Sequence, residues 1–124
     1  MCKEAVLLVG HGSRLPEAND SLGKLVSLVA GKRPGTKVTY AFMQFASPSL
    51  PAALQELACA GMQQVTVVPI FLYAGVHIRE DLPQILSEAA EKFPDLRVIL
   101  APVLGIDERM ADIVWERVDA APQF

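Results

Sequence analysis

The chain holds two histidines, His11 and His77, and each follows the same kind of sequence. His11 sits in Gly10-His11-Gly12-Ser13-Arg14, where the aliphatic run AVLLV stops. His77 closes Tyr73-Ala74-Gly75-Val76-His77, after the run VTVVPIFL over residues 65–72. Runs of this kind read as strands buried on both faces. Glycine then lets the backbone turn sharply where the run ends, so His11 is pushed outward at a sheet edge. In an open parallel sheet, ligands occupy the crevice outside the carboxyl ends of the strands. Two imidazoles at two such ends can therefore share one site. A single loop histidine is ordinarily a solvated polar residue; the repeated context is what favours the shared site.

Imidazole titrates near neutrality and can accept a proton there. It is also a ligand for cobalt, nickel, iron or zinc. Two histidines are too few for a closed structural ion site, which uses four ligands. Open ligation suits a metal that must leave. Other chemistries fit less well. The P-loop pattern and GxGxxG are absent, so phosphate cradling lacks its usual frame. Ser13 as a nucleophile would need an orienting carboxylate and a GxSxG elbow, and GHGSR is not that. A phosphohistidine at His11 lacks an evident pair of clamping arginines.

The elements that must carry these residues alternate along the chain. A strand from Ala5 leads into the GHGSR turn. Residues 15–32 have helical spacing, with Leu15, Ala18, Leu22, Leu25, Val26 and Val29 on one face. KVTYAFMQF, residues 37–45, reads as a second strand. Ser47-Pro48 reads as a helix start, with serine as cap and proline at the first position; Leu50, Leu54, Leu57 and Ala58 face inward and Gly61 ends it. The third strand, from Val65, leads to the His77 turn. A third helix is predicted to begin between residues 78 and 83 and to reach Phe93, with Leu82, Ile85, Leu86, Ala89 and Phe93 on one face. Residues 97–101 form a short fourth strand. Asp107 caps a last helix expected to turn Met110, Ile113, Val114 and Val118 inward, before a frayed tail over residues 119–124. The order βαβαβαβα implies an α/β fold, a three-layer α/β/α arrangement around a four-stranded parallel sheet with right-handed crossovers. So small a sheet can cover an exposed side by pairing with a second copy.

Composition narrows the classes. At 124 residues, 52% apolar and 20% charged, the chain reads as one globular domain, residues 1–124 with a core over about 4–118. The opening Met1-Cys2-Lys3-Glu4 lacks an export signal, and the longest apolar stretch is interrupted by Pro69 and Gly75, so no membrane span is expected. Cys2 and Cys59 are isolated and read as reduced thiols in the cytoplasm. A net charge of −3 without a basic block argues against nucleic acid as partner. It leaves room for an acidic small substrate, because a few arginines at a pocket mouth outweigh the global sign.

Three segments together, VLLVGHGSR, AFMQFASPSL and VVPIFLYAGVHIREDLP, resemble the class II chelatases. The likeness is to the small, single-repeat form that includes sirohydrochlorin cobaltochelatase and its nickel-inserting relatives, and it covers residues 5–118. GHGSR followed by FLxxGxHxxxDLP is far more specific than either motif alone. The resemblance implies ATP-independent insertion of a divalent metal into sirohydrochlorin, a carboxylate-rich tetrapyrrole, in cobalamin-type biosynthesis. Co2+ is the first choice, with Ni2+ and Fe2+ as alternatives; the ion is a substrate, and no permanently bound cofactor is implied. Long members hold two such halves, so one half implies a homodimer enclosing one cavity.

By the same resemblance His11 is proton acceptor and metal ligand, and His77 the second metal ligand. Phe71, Leu72, Tyr73, Ala74, Gly75 and Val76 match the loop along the macrocycle, and Ser47 falls in a substrate-contacting turn. Gln44 and Ser47 stand where some relatives carry acidic residues. Arg14 and Arg79 are candidate partners for substrate carboxylates, or solvated surface charges. Phe71, Leu72 and Tyr73 can wall the ring, or pack the strand end. Asp81 can orient His77, or favour the helix start. Two other readings stand beside the chelatase: a non-catalytic tetrapyrrole or metal carrier of the same fold, and a phosphoryl-transfer enzyme using His11.

Overall fold

A computed structural model describes residues 3–73 and 75–124, with His77 described in its backbone only. Cys2 and Ala74 lie outside the described residues. The elements run β1 (Glu4–Gly10), α1 (Pro16–Lys32), β2 (Lys37–Phe42), α2 (Leu50–Cys59), β3 (Gln64–Pro69), α3 (Val76–Lys92), β4 (Arg97–Leu100) and α4 (Arg109–Ala120). All strand pairings are parallel, in the order β2-β1-β3-β4. β1 is thus an inner strand, flanked on both sides, and its aliphatic run is buried accordingly.

Alternate residues of the strands feed two cores. Leu7 and Val9 of β1 and Val65 and Val67 of β3 meet Leu50, Leu54 and Leu57 of α2 and Leu82, Leu86 and Ala89 of α3 on one face. Leu8 and Phe42 meet Leu22 of α1 on the other, with Leu25, Val26 and Val29 beside them. These are the three α/β/α layers expected from the alternation.

Several boundaries differ from expectation, each for a local reason. β2 stops at Phe42, not Phe45. Met43 and Gln44 donate N–H to the carbonyls of Gly10 and His11, at 3.0 and 3.1 Å, and Phe45 then turns the chain with φ +62°. α2 is capped by Ser49, whose hydroxyl accepts from Ala52 N–H at 3.3 Å, and Pro51 rather than Pro48 occupies its first turn. Pro48 is kept out of the helix because its carbonyl accepts from Phe42 N–H at 2.9 Å, an extension of the sheet. β3 ends at Pro69; Ile70 N–H still bonds to Val9 O at 2.8 Å, and the chain bends at Leu72 and Tyr73. α3 starts at Val76, before the expected window of residues 78–83, with Gly75 as cap and Arg79 N–H closing the first turn on Gly75 O at 3.0 Å. Pro83 lies inside the helix, where it removes one backbone donor.

The largest departure is α4. Its spacing predicts an apolar face turned inward, yet apart from half-buried Met110 every residue of the helix is exposed, with Ile113 at 48%, Val114 at 58% and Val118 at 53%. It joins neither helical layer. Asp107 does organise its start: one carboxylate oxygen accepts from Arg109 N–H at 2.9 Å and from Arg109 Nε at 2.7 Å. The helix continues to Ala120, through the first part of the tail predicted to fray. Among the described residues no helix is long and apolar enough to cross a membrane.

Candidate active site

The GHGSR turn is pinned from both neighbouring strands. Ile70 N–H donates to Val9 O at 2.8 Å on one side, and Gln44 N–H to His11 O at 3.1 Å on the other. Gly12 makes the second approach possible. Its φ is +90°, and a Cβ there would lie 1.7 Å from the carbonyl oxygen of Gln44. Ser13 is tied to α1: its N–H donates to Asn19 Oδ1 at 2.9 Å, and Asn19 Nδ2 donates back to Ser13 O at 2.8 Å. The Ser13 hydroxyl accepts from Leu15 N–H at 3.0 Å, a turn-stabilising role that occupies it locally.

His11 is exposed at the carboxyl end of β1, and its ring lies against Phe71, with centroids 4.0 Å apart and planes inclined at 37°. Phe71 is 4% exposed, so a buried phenyl ring forms the floor on which the imidazole rests. Together they line an open cleft of about 700 Å³ with Leu72, Tyr73, Gly75, Val76, Gln44 and Asp81. Met43, Ile70 and Ile78 complete its apolar wall. Leu72, Tyr73 and Val76 are 52%, 79% and 67% exposed, so they are not strand-end core packing. Phe71 is both core and wall.

His77 lies in the first turn of α3, not in a loop. The segment carrying it leaves β3, which pairs with β1. Both histidine-bearing segments thus begin at the same rim of the sheet. Arg14 and Ser47 line a second recess, of about 390 Å³, with Ser13, Asn19 and Phe45. The Arg14 guanidinium there stands 4.4 Å from the centre of the Phe45 ring, a cation–π geometry. Arg79 is exposed and lies outside both hollows.

Three contributors carry little signal in the sequence. Met43 and Phe45 read as strand residues, and only the early end of β2 turns them toward the rim. Asn19 shows nothing but a polar position on a helix. Among the described residues, no three His, Cys, Asp or Glu side chains converge on a point where they would hold a metal ion.

The pattern of the whole chain decides the family, since residues 5–121 match the CbiX family model. The chain belongs to the CbiX family. This CbiX chain is 34% identical over 126 residues to a sirohydrochlorin cobaltochelatase of Methanosarcina acetivorans, a match that covers 96% of this chain and 97% of that one. A crystal structure from Marinobacter aquaeolei VT8, of a candidate cobalamin (vitamin B12) biosynthesis CbiX protein, superposes with a TM-score of 0.81 at 27% identity, covering 95% of this chain and 99% of that one. The sirohydrochlorin chelatase SirB of Bacillus subtilis subspecies spizizenii, in complex with cobalt, gives a TM-score of 0.84 at 26% identity. The CbiX chain covers 50% of SirB and 95% of itself in that match, so it corresponds to one half of the longer protein.

Proposed function

We infer that this chain is a sirohydrochlorin metallochelatase, inserting Co2+ into the tetrapyrrole without ATP, with Ni2+ and Fe2+ as competing ions. The observation that carries the reading is the union of family membership with an exposed imidazole on an aromatic floor at the mouth of an apolar cleft. Insertion exchanges metal-bound water for ring nitrogens and releases the pyrrole N–H protons. The reading assigns His11 to hold the incoming ion and to accept a proton, and assigns His77, from the neighbouring segment of the same rim, as the second ligand. Phe71, Leu72, Tyr73, Gly75 and Val76 provide the surface along which the macrocycle lies. Binding of its remote carboxylates holds the ring in a bent form whose nitrogens point at the ion.

Arg14 is suited to one such carboxylate, since its guanidinium is held over Phe45 in the second recess, three residues along the chain from His11. Ser47, in the same recess, is the neighbouring hydroxyl. Asp81, a cleft residue on α3, is the acidic group that can orient an imidazole or relay a proton. The ion enters as substrate and leaves in the product, so no resident cofactor is invoked. We further propose that the active form is a homodimer acting in the cytoplasm, two copies standing where SirB has two halves.

The test is an absorbance time course of sirohydrochlorin with Co2+, Ni2+ and Fe2+ in separate runs, at sub-stoichiometric protein. Conversion of many equivalents of tetrapyrrole per chain is expected, fastest with Co2+. Conversion that halts at one equivalent would replace the enzyme by a carrier.

A further inference from the structure

The turn that carries His11 and Arg14 is held in two different ways. Up to His11 the holds run from backbone to backbone: Ile70 N–H on Val9 O, Met43 N–H on Gly10 O and Gln44 N–H on His11 O, at 2.8, 3.0 and 3.1 Å. Beyond His11 the hold comes from one side chain of α1. Asn19 Oδ1 accepts from Ser13 N–H at 2.9 Å, and Asn19 Nδ2 donates to Ser13 O at 2.8 Å. The bond from Leu15 N–H to the Ser13 hydroxyl stays within the segment and ties it to nothing else. Among the described residues the next backbone bond along the chain is Ala18 N–H on Leu15 O, already at the start of α1.

Asparagine is chemically matched to that task. A side-chain amide carries a donor and an acceptor side by side, so it can pair with both the N–H and the C=O of one residue, as the peptide group of a neighbouring strand would. It is also a weak helix former, and within the first turn of a 17-residue helix it serves that helix less well than alanine. Half-buried, it turns its amide back toward the loop. The residue is explained by the turn it holds and not by the helix it sits in.

What the clamp fixes is the residue after Ser13. Arg14 makes no ion pair among the described residues, and its guanidinium rests on Phe45 at 4.4 Å from the ring centre. Ser13 and Asn19 line both the recess that contains Arg14 and a hollow of about 360 Å³ beside His11. The clamped pair therefore borders the site on the imidazole's side and on the guanidinium's.

We propose that Asn19 is a positioning residue for substrate binding: by clamping Ser13 it fixes where Arg14 presents its guanidinium relative to His11, and so sets the affinity for a carboxylate of the macrocycle. Asn19 acts through Arg14 and does not touch the reacting atoms. This rests on the chelatase reading above and deepens its carboxylate contact. His11 keeps its own backbone hold when the clamp is removed, so binding and chemistry separate.

Asn19→Ala removes both bonds. With Co2+ saturating, KM for sirohydrochlorin should rise on the order of tenfold, the loss expected when a charge-assisted hydrogen bond is misplaced, while kcat stays within about twofold of wild type. Equilibrium dialysis of metal-free sirohydrochlorin should show the same weakening as a dissociation constant. Arg14→Ala should weaken binding at least as much. Adding Asn19→Ala to it should change nothing further, because a clamp with no guanidinium to place has no effect on binding. The melting curve should stay close to wild type, alanine's gain in the helix offsetting the lost bonds. Asn19→Asp, which keeps the acceptor and drops the donor, repeats the cycle where alanine does not fold. Additive effects in the double variant overturn the role assigned to Asn19, and so does a kcat that falls in step with kcat/KM. An unchanged KM and dissociation constant overturn it as well. A wild-type chain that binds sirohydrochlorin without turnover removes the enzyme reading alone, and the dialysis cycle then decides the role of Asn19. A chain that does not bind sirohydrochlorin removes both.

Discussion

His11 is held by its backbone and by one ring. Its carbonyl accepts from Gln44, its neighbour Gly12 admits that approach, and its imidazole lies on Phe71. Removing the imidazole leaves this frame intact, so His11→Ala should keep the wild-type melting curve while metal insertion falls by about 10²–10⁴-fold, the range for a lost acid–base group. His77→Ala should behave alike. Near-wild-type insertion in both variants would sink the assignment of either histidine to metal or proton. Gly12→Ala is the opposite kind of change. It places a methyl group where the Gln44 carbonyl already stands and forces an L side chain to φ +90°. A loss of at least about 1–3 kcal/mol in urea unfolding is expected from the strain alone, with insertion reduced because the turn carrying His11 must shift. Unchanged stability would mean that the turn is not held as described.

At the scale of elements, each functional segment leaves the carboxyl end of a strand, and the contacts made beyond that end decide its form. After β1 comes a pinned turn, after β2 a second turn that presses against it, and β3 is followed by the segment that leads to α3. α4 depends on its own start. The Arg109 guanidinium and backbone N–H hold the Asp107 carboxyl well below the usual carboxylate range. A carboxyl whose folded pKa is depressed stabilises above its unfolded value, about 3.9, and that contribution disappears as the pH falls through and below it. Asp107→Asn should therefore lower helicity and stability modestly at pH 7, with the difference from wild type shrinking toward pH 2. Circular dichroism at both pH values checks the sign; a difference that grows on acidification would contradict it.

The whole molecule is a half-open layered sheet. Its core is complete around β1 and on the α2–α3 face, and incomplete over β3 and β4. A cleft open to solvent on so small a sheet gives a tetrapyrrole one wall, and a second copy would supply the other. If the enclosed cavity is the active form, specific activity should fall on dilution in step with the dimer fraction measured by light scattering. Constant specific activity through dissociation would make each chain a self-sufficient catalyst.

The alternation of strand and helix, the GHGSR turn at the end of β1, the helical layers on both faces and the family were legible in the sequence, because hydrophobic period and glycine position act over a few residues. The glycine pattern sets His77 one step too early, in a turn and not in the helix that follows it. GHGSR turns at the strand end because its glycines allow it, wherever the rest of the chain goes. The tertiary structure alone decided what depends on distant partners. Ser49 rather than Ser47 caps α2 because Phe42 claims the carbonyl of Pro48. Phe71 became the floor under His11 because β1 and β3 are neighbours. The α4 stripe has the spacing of a core helix, and spacing registers only that a face wants cover. Which surface provides it, in this chain or in another copy, is set by where the preceding segment is pinned.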